Sequence, residues 1–343
     1  MDFSTKLTHW YQHNKRDFPW RNTKNPYFIW LSEIILQQTR TEQGLPYYIS
    51  FTQKFKTIQN LAKADEESVL KLWQGLGYYS RARNLHFTAK YIVSELSGKF
   101  PNNYKDLLKL KGIGDYTASA IASICYEEKC AVVDGNVYRV LSRYFGIHSP
   151  TNNAKSIKEF KALAQRMLPK TNFGLYNQAI MDFGATVCTP KNAQCKDCIF
   201  NDSCFALQYN KVESLPLKKK KINIKKRYFN YLVILSDTNK ISIQQRKNKD
   251  IWHNLYEFPL IESEKEIHLD ELIQIPKIKK LNTSNIHLFN EKMKVHKLSH
   301  QHLYTKFWII NTNKSLNNSV PISQLKNYPV PRLIDNFIQE INL

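Results

Sequence analysis

A cluster of four cysteines constrains this chain more than any other feature of its sequence. Cys188, Cys195, Cys198 and Cys204 follow the spacing C-x6-C-x2-C-x5-C within one segment of 17 residues. Structural zinc sites usually combine two separated pairs of ligands, with about a dozen residues or more between the pairs. Four thiolates from one short loop instead favour a cubic [4Fe–4S] cluster, with zinc as the alternative. The segment is therefore predicted to fold around a metal centre.

The other two cysteines, Cys125 and Cys130, are predicted to be plain thiols. Six cysteines in 343 residues are too few for a disulfide scaffold, which favours a reducing compartment. No apolar run reaches the roughly 20 residues of a membrane helix, and residues 1–18 lack the apolar core of a secretory signal. We therefore expect a cytoplasmic protein that does not enter a membrane.

Positive charge is concentrated in the middle of the chain. The net charge of the whole chain is +21, and residues 208–227 alone carry +7. A single hydrophobic core seldom grows beyond about 250 residues, so the length suggests two domains. We predict domains over 1–207 and 228–343, joined by a basic linker over 208–227. The linker is either a solvated spacer or a strap that contacts phosphates, and the charge points to nucleic acid as a partner.

The two predicted domains differ in hydrophobic pattern. In the first, apolar residues recur with a helical period, most clearly over 137–145, where Gly146 should end the helix. In the second, strand formers dominate over 228–235 and 306–310, before a helix predicted over 333–341. The fold class is therefore predicted to be a mostly α first domain followed by a smaller α+β domain.

A glycine-containing turn, LKGIG over 110–114, lies between two predicted helices. Gly112 and Gly114 would leave backbone N–H groups at a helix N-terminus free to bind phosphate. An isolated G-x-G is more often only a tight turn. Twenty residues later, Asp134 precedes the helix that contains Val137, and an aspartate there is most simply an N-cap. Neither feature alone identifies a function.

The hairpin, the aspartate and the cysteine loop together resemble the helix–hairpin–helix DNA glycosylases. Five strings are similar to adenine DNA glycosylases of the MutY type: 32–40 (SEIILQQTR), 75–86 (GLGYYSRARNLH), 112–122 (GIGDYTASAIA), 133–143 (VDGNVYRVLSR) and 177–190 (NQAIMDFGATVCTP). The similarity runs through 1–207 almost without a gap. It implies a bacterial, nucleoid-associated monomer that excises adenine mispaired with 8-oxoguanine or guanine in double-stranded DNA, and a helix–hairpin–helix fold with a [4Fe–4S] cluster.

The residue at position 116 separates two branches of this superfamily. Enzymes of the endonuclease III type have a lysine at this place of the hairpin, and that lysine forms a Schiff base with the sugar and so cleaves the strand. Tyr116 cannot form a Schiff base. The resemblance therefore implies a monofunctional glycosylase, which removes the base and leaves the strand intact.

Cleavage of a purine N-glycosidic bond requires protonation of the leaving base and stabilisation of an oxocarbenium-like sugar. Glu33 lies in an apolar helix beside Trp30, Ile34 and Ile35, where burial would raise its pKa and make it an acid near neutral pH. From the pattern alone, a solvated glutamate is the simpler interpretation. The resemblance implies Glu33 as the acid for adenine N7 and Asp134 as the stabiliser of the sugar cation.

The resemblance also implies which residues surround the substrate. Tyr116 and Asn136 would support the carboxyl groups by hydrogen bonding. The residues expected around the flipped adenine are Trp20, Arg21, Gln178 and Met181, and those expected at the opposite base are Gln38 and Tyr78. Gln178 departs from relatives that have glutamate there, but an amide can also pair with an adenine edge.

The C-terminal part is similar to the family's Nudix-like domain, which helps to read the opposite base. Ser299 and His300 align with an F-S-H element, with Leu298 in place of the phenylalanine. Residues 250–259 (DIWHNLYEFP) resemble a W…L-W-E-F-P strand, with Tyr256 where a tryptophan usually stands. The domain lacks the Nudix box G-x5-E-x7-R-E-x-x-E-E-x-G-x, so metal-dependent pyrophosphatase activity is not expected.

Two other hypotheses differ from this one in class or chemistry. A pyrimidine glycosylase with lyase activity would share the fold, and trapping of a Schiff base with borohydride would identify it. A non-catalytic iron–sulfur DNA-binding protein would share the cysteine loop. In that protein, Glu33→Gln would change no activity.

Overall fold

The computed structural model describes residues 2–217, 224–281, 283 and 285–341. The chain forms two compact units, Met1–Lys63 with Asn84–Lys220, and Ala64–Arg83 with Lys221–Leu343. Residues 64–83 thus group with the second unit, which the sequence pattern did not indicate. The lysine-rich centre of the predicted linker, 218–221, lies outside the described residues. The bounds 1–207, 208–227 and 228–343 stay a prediction.

The chain before the linker is helical, as predicted. Its described helices are α1 (Phe3–Asn14), α2 (Pro26–Leu36), α3 (Thr41–Lys54), α4 (Ile58–Lys63), α5 (Glu66–Leu72), α6 (Ser80–Glu95), α7 (Tyr104–Leu107), α8 (Asp115–Tyr126), α9 (Gly135–Phe145), α10 (Ala154–Arg166), α11 (Phe173–Thr186) and α12 (Phe205–Gln208). None of the helices in the described ranges has the length and apolar character needed to cross a bilayer.

Small residues let the central helices of the first unit approach closely. Helix α11 packs against α1, α8 and α9, and α2 packs against α8. A Cβ on Gly174 of α11 would lie 2.7 Å from the Cα of Ile124 in α8, so only glycine fits there. Helix α9 ends as predicted at Gly146, whose φ of +67° is a left-handed conformation that favours glycine. This packing places α8 beside α2 and α9 beside α11.

The second unit contains a mixed sheet. Its strands are β1 (Lys225–Ser236), β2 (Lys240–Ser242), β3 (Gln244–Gln245), β4 (Tyr256–Glu257), β5 (Leu260–Ser263), β6 (Ile286–Leu288), β7 (Lys294–Lys297), β8 (Gln301–Thr312) and β9 (Ser319–Pro321), and its helices after the linker are α13 (Leu269–Ile273), α14 (Pro276–Lys279) and α15 (Arg332–Glu340). The order is β6-β8-β1-β2-β9, with β5 also paired to β1 and β7 to β8, while β3 and β4 form a separate pair.

Strands β1 and β8 run parallel at the centre of this sheet, in register from Lys225 opposite Gln301 to Ser236 opposite Thr312. Both of their faces are covered, which explains their nearly continuous apolar sequences. On one face, Leu232 and Trp308 belong to a core cluster with Leu272 of α13 and Ile278 of α14. On the other, Phe307 stacks on Phe337 of α15 with ring centroids 4.0 Å apart. The predicted fold class, a helical part followed by a smaller α+β part, is confirmed.

Candidate active site

The first unit contains a cavity of about 150 Å³. Its lining includes every residue predicted to be catalytic and every residue predicted to surround the adenine: Trp20, Arg21, Glu33, Tyr116, Asp134, Asn136, Gln178 and Met181. These residues come from η1 (Pro19–Arg21), a short 3-10 helix, and from α2, α8, α9 and α11. Gln38 does not line the cavity and lies on the exposed turn after α2, with φ of +54°.

Glu33 is buried in α2, with 9% of its surface exposed. The helix begins at Asn25, whose side chain accepts a hydrogen bond from the Tyr27 N–H. Burial raises the pKa of Glu33, and the nearby Asp134 carboxyl raises it further, while the Tyr116 hydroxyl and the Arg21 guanidinium oppose the shift. The predicted burial is therefore confirmed, and the environment favours the protonated acid.

Asp134 is the N-cap of α9, as its position before a helix predicted. Its Oδ1 accepts hydrogen bonds from the backbone N–H groups of Asn136 at 2.9 Å and Val137 at 2.8 Å. Its Oδ2 accepts from Asn136 Nδ2 at 2.8 Å. Burial raises the pKa of Asp134, but these hydrogen bonds and Arg139 oppose the shift because they stabilise the carboxylate. Glu33 and Asp134 therefore line one cavity in different environments.

Tyr116 lies in the first turn of α8, near both carboxyl groups. Its hydroxyl donates to Met181 Sδ at 3.5 Å and also interacts with Glu33. Burial raises the pKa of Tyr116 well above its usual value, and both carboxyl groups add to this effect. Tyr116 is therefore a neutral hydrogen-bonding group at neutral pH.

Two arginines at the cavity converge on Asp182, a residue that sequence reasoning did not single out. Asp182 is fully buried in α11, and its Oδ1 accepts from Arg16 Nη2 at 2.6 Å and Arg21 Nη2 at 2.8 Å. Removal of one partner from a buried ion pair is costly because it leaves an uncompensated charge. Asp182 therefore fixes Arg21, while the buried Nε of Arg21 has no acceptor among the described residues.

Aromatic contacts fix the Trp20 ring, which also lines the cavity. The ring of Trp20, 5% exposed, stacks on Phe18 with centroids 4.9 Å apart and meets the edge of Tyr48 at 5.0 Å. Gln178 Oε1 accepts a hydrogen bond from the Tyr11 hydroxyl at 3.2 Å. Because this hydrogen bond fixes the amide oxygen of Gln178, it also fixes the orientation of the amide nitrogen.

Gly184 and Arg139 hold the N-terminus of α9 against the end of α11. A Cβ on Gly184 would lie 2.8 Å from the Asn136 Cβ and 2.9 Å from the Asn136 oxygen, so a side chain at 184 would displace the turn that follows Asp134. Arg139 donates to Asn136 Oδ1 at 2.8 Å, to the Gly184 oxygen at 2.5 Å and to the Cys188 oxygen at 2.6 Å. Arg139 was not predicted, although it lies within one of the strings that carry the resemblance.

The hairpin between α7 and α8 has the open geometry that its glycines suggested. Gly112 has φ of +80°, and Gly114 is the N-cap of α8 with open space where a Cβ would lie. The first helical residue, Asp115, is held by side chains from other helices. Its Oδ1 accepts from the Tyr104 hydroxyl at 2.6 Å and its Oδ2 accepts from Lys161 Nζ at 2.9 Å. The Asp115 carboxylate is therefore paired, although it stands at a predicted phosphate site.

The four clustered cysteines line a single small cavity of about 30 Å³. Arg143 also lines it, and Arg143 Nη1 lies 3.5 Å from Cys188 Sγ and donates to the Thr189 oxygen at 2.7 Å. Within the described ranges, the His, Cys, Asp and Glu side chains include no preassembled group of three or more that could hold a metal ion. The predicted ligands thus share one cavity beside a compensating cation, and the cluster stays a proposal.

Cys125 and Cys130, predicted to be plain thiols, are both half-buried and do not line that cavity. Burial raises the pKa of Cys125 to about 12 and that of Cys130 to about 11. Neither thiol is therefore activated as a nucleophile.

The second unit contains a cavity of about 480 Å³, lined by residues 77–80, Arg83, 250–252 and 297–300. Tyr78, Ser299 and His300, predicted to act at the opposite base, are therefore brought together. Tyr78 is 47% exposed, and its hydroxyl lies 2.8 Å from Ser299 Oγ. The backbone of Leu298 donates to the Gln301 oxygen at 2.8 Å, so the turn between β7 and β8 closes without the family's phenylalanine.

Comparison with known proteins identifies the family to which each part of the chain is similar. Residues 31–166 match the HhH-GPD superfamily of base excision DNA repair proteins, and residues 230–340 match the NUDIX domain. Among solved structures, a thermostable thymine-DNA glycosylase superposes with a TM-score of 0.56 and 31% identity, covering 60% of this chain and 95% of that chain. An endonuclease III–DNA complex has a TM-score of 0.52 and 18% identity, covering 61% of this chain and 99% of that chain, and shows the fold alone.

Full-length relatives extend the similarity over both units. The adenine DNA glycosylase of Buchnera aphidicola subsp. Baizongia pistaciae is 36% identical over 339 residues, which cover 96% of this chain and 94% of that protein. The human adenine DNA glycosylase is 41% identical over 222 residues, which cover 62% of this chain and 41% of that protein. These matches confirm the resemblance found in the sequence, and the chain belongs to the adenine DNA glycosylase family.

Proposed function

We propose that this chain is a monofunctional DNA glycosylase that removes adenine paired with 8-oxoguanine or guanine. The observation that carries the proposal is the pair of carboxyl groups, Glu33 and Asp134, in one cavity. Glu33 is buried beside apolar residues, which favours its protonated form. Burial raises the pKa of Asp134 as well, but Asp134 accepts three hydrogen bonds at a helix N-terminus, and these oppose its protonation. Two carboxyl groups with such different environments suit one acid and one charge stabiliser.

In the proposed reaction, Glu33 donates its proton to N7 of the flipped adenine. Protonation weakens the bond between N9 and C1′, and this bond breaks with its electron pair leaving on the base. The sugar becomes an oxocarbenium-like cation, which the Asp134 carboxylate stabilises by charge. Water then adds at C1′ and releases a proton, so the products are free adenine and an abasic site. Asn136 and Arg139 hold Asp134 and its turn in place.

The residues around the cavity support recognition of a purine. Trp20 offers an aromatic face that its own stack on Phe18 keeps fixed. The amide nitrogen of Gln178 and the unpaired Nε of Arg21 are donors suited to acceptor atoms of adenine. A flipped base must regain in the pocket the few kcal/mol that unstacking costs.

The monofunctional assignment depends on position 116. Tyr116 is buried, neutral and hydrogen-bonded beside Glu33, and a phenol cannot form an imine with the opened sugar. We propose that Tyr78, Ser299 and His300 read the base opposite the adenine, since they line one cavity of the second unit. The predicted monomeric state and the bacterial nucleoid location stay predictions.

We also propose that Cys188, Cys195, Cys198 and Cys204 hold one [4Fe–4S] cluster. Four thiols around one cavity are the donor set that such a cluster requires, and Arg143 beside Cys188 offsets part of the negative charge. A bound cluster would crosslink the loop, and none of the proposed steps passes through it. Iron and sulfide analysis of anaerobically purified protein tests this, and stoichiometric zinc would contradict it.

Incubation with matched duplexes tests the proposed reaction. The duplexes carry adenine opposite 8-oxoguanine, guanine or thymine, and each product is analysed before and after alkali. We expect abasic sites opposite 8-oxoguanine and guanine, strand breaks only after alkali, and no adduct with borohydride. Breaks without alkali would show lyase activity, and absence of abasic product would refute the glycosylase assignment.

A further inference from the structure

The turn that carries Tyr78 is held by the C-terminal part of the chain. Residues 64–83 group with residues 221–343 in one compact unit. The backbone of the turn is in left-handed conformations, with φ of +98° at Gly75, +74° at Gly77 and +48° at Tyr78. A non-glycine residue persists in this conformation only where its surroundings hold it, as they do here.

Before the turn, the Gln74 side chain makes hydrogen bonds to residues of both α5 and α15. Its Nε2 donates to Asp335 Oδ1 at 2.8 Å, and its Oε1 accepts from the Val330 N–H at 3.3 Å and from Lys71 Nζ at 3.0 Å. Lys71 also donates to the Tyr328 oxygen at 3.1 Å. The nitrogen and the oxygen of the Gln74 amide are therefore both hydrogen-bonded. A shorter side chain, or one without an amide, could not make the same contacts.

After the turn, a second set of bonds holds the chain. Arg83 Nη1 donates to the His253 oxygen at 2.8 Å, and the Tyr79 hydroxyl donates to the Val330 oxygen at 3.4 Å. Inside the turn, Trp73 Nε1 donates to the Gly77 oxygen at 3.0 Å. Hydrogen bonds thus hold the turn on both sides. In this position the Tyr78 hydroxyl lies 2.8 Å from Ser299 Oγ.

Two glutamates in the first turn of α5 hold this helix against residues 254–256. Glu66 accepts from Asn254 Nδ2 at 2.6 Å, and Glu67 accepts from the Tyr256 hydroxyl at 3.1 Å. The hydroxyl of Tyr256 provides a contact that an indole at this place would not make with the same geometry.

We propose that Gln74 and Arg83 are positioning residues that set the discrimination of the base opposite the adenine. They hold the turn so that Tyr78 and Ser299 present one preformed surface in the 480 Å³ cavity. The inference rests on the proposed function, because Tyr78 and Ser299 are the residues proposed to read that base. Neither Gln74 nor Arg83 is expected to touch the reacting atoms.

Single-turnover excision on two duplexes tests the proposal. The variants are Gln74→Ala, Asp335→Ala, their double variant and Arg83→Met, with Tyr78→Phe as reference and Gln53→Ala, an exposed glutamine of α3, as control. We expect the ratio of the excision rates opposite 8-oxoguanine and opposite guanine to fall roughly three- to tenfold in each variant, as for loss of one or two hydrogen bonds. The double variant should resemble Gln74→Ala, and Gln53→Ala should resemble the parent.

Three outcomes would overturn this inference. The first is an unchanged ratio in folded Gln74 and Arg83 variants while Tyr78→Phe lowers it. The second is an equal fall of both rates, which would indicate a general structural role. The third is an unchanged ratio in Tyr78→Phe itself. Absence of excision by the parent protein would instead refute the proposed function, and melting curves identify variants that fail to fold.

Discussion

Replacement of Glu33 by glutamine tests the central chemical argument. The substitution keeps the size of the side chain and its place in α2 but removes the acidic proton. Glu33 and Asp134 are the two carboxyl groups among the described residues that line the cavity. Burial raises the pKa of Asp134, but its three hydrogen bonds oppose protonation, so Asp134 is the weaker candidate for the acid. Most of the contribution of general-acid catalysis should therefore be lost.

General-acid catalysis typically contributes about 10²- to 10⁴-fold, so the single-turnover rate should fall by that factor. At about 1.4 kcal/mol for each factor of ten, this corresponds to roughly 3–6 kcal/mol on the barrier. Binding of duplex DNA should change little, since Glu33 has only 9% of its surface exposed. Glu42→Gln, the same substitution at an exposed position of α3, is the matched control.

The dependence of excision and of stability on pH provides an independent test of the role of Glu33. Burial raises the pKa of Glu33, so excision by the parent protein should fall as pH increases through that raised value. The folded state holds the proton more tightly than the unfolded state does, so the parent loses stability as pH rises from the ordinary pKa of glutamate to the raised one. Glutamine does not ionise, and Glu33→Gln should therefore melt at a higher temperature than the parent at neutral pH.

Excision is measured with enzyme in excess over a duplex containing adenine opposite 8-oxoguanine, with alkali cleavage of the product. Melting is followed by circular dichroism at pH 4 and at pH 7.5, and the difference between the two proteins should widen at the higher pH. A Glu33→Gln variant that folds, binds the duplex and excises adenine within a few-fold of the parent would refute the reasoning. So would a melting temperature lower than that of the parent at pH 7.5.

Three further predictions concern the surroundings of the site. Gly184→Ala should destabilise the protein by about 1–3 kcal/mol in thermal melts and slow excision, because the new Cβ meets Asn136. Lys161→Met should weaken binding to any duplex roughly threefold in anisotropy titrations, because it leaves the Asp115 charge unpaired at the hairpin, and adding Asp115→Asn should restore affinity. Cys198→Ser should lower the iron content and the yield of folded protein, whereas Cys130→Ser should not. An unchanged value in one of these assays would contradict the role assigned to the contact on which that prediction depends.

The predicted residues that line the cavity were identified mainly by the family resemblance. Local pattern alone favoured a solvated Glu33, and only the resemblance made a buried acid the better interpretation, whereas the position of Asp134 before a helix indicated its cap directly. Glu33 is buried and Asp134 is an N-cap. The resemblance then placed distant segments at one site, which no periodicity could do. Gln38, predicted to act at the opposite base, lies exposed on the turn after α2 and outside this lining, and its role stays a prediction.

The unpredicted parts depend on contacts between residues far apart in sequence. Asp182 looks like an ordinary helical aspartate until the fold brings Arg16 and Arg21 to it across more than 160 positions. The pairing of Lys161 with Asp115 depends in the same way on the packing of α10. Hydrophobic periodicity reports which face of an element is buried, but it carries no information on which partner is buried against it.

The discontinuous second unit has a consequence for how the protein is made. The hydrogen bond from Arg83 to His253 cannot form until a residue 170 positions later has been synthesised. The bond from Gln74 to Asp335 requires a residue 261 positions later. At about 5–20 residues per second, these partners emerge from the ribosome roughly ten seconds to a minute after the segment that needs them. During that interval α5 and the Tyr78 turn exist without their native neighbours. During this interval residues 64–83 are open to chaperones and proteases, and a translation pause within the last third of the message would prolong this exposure.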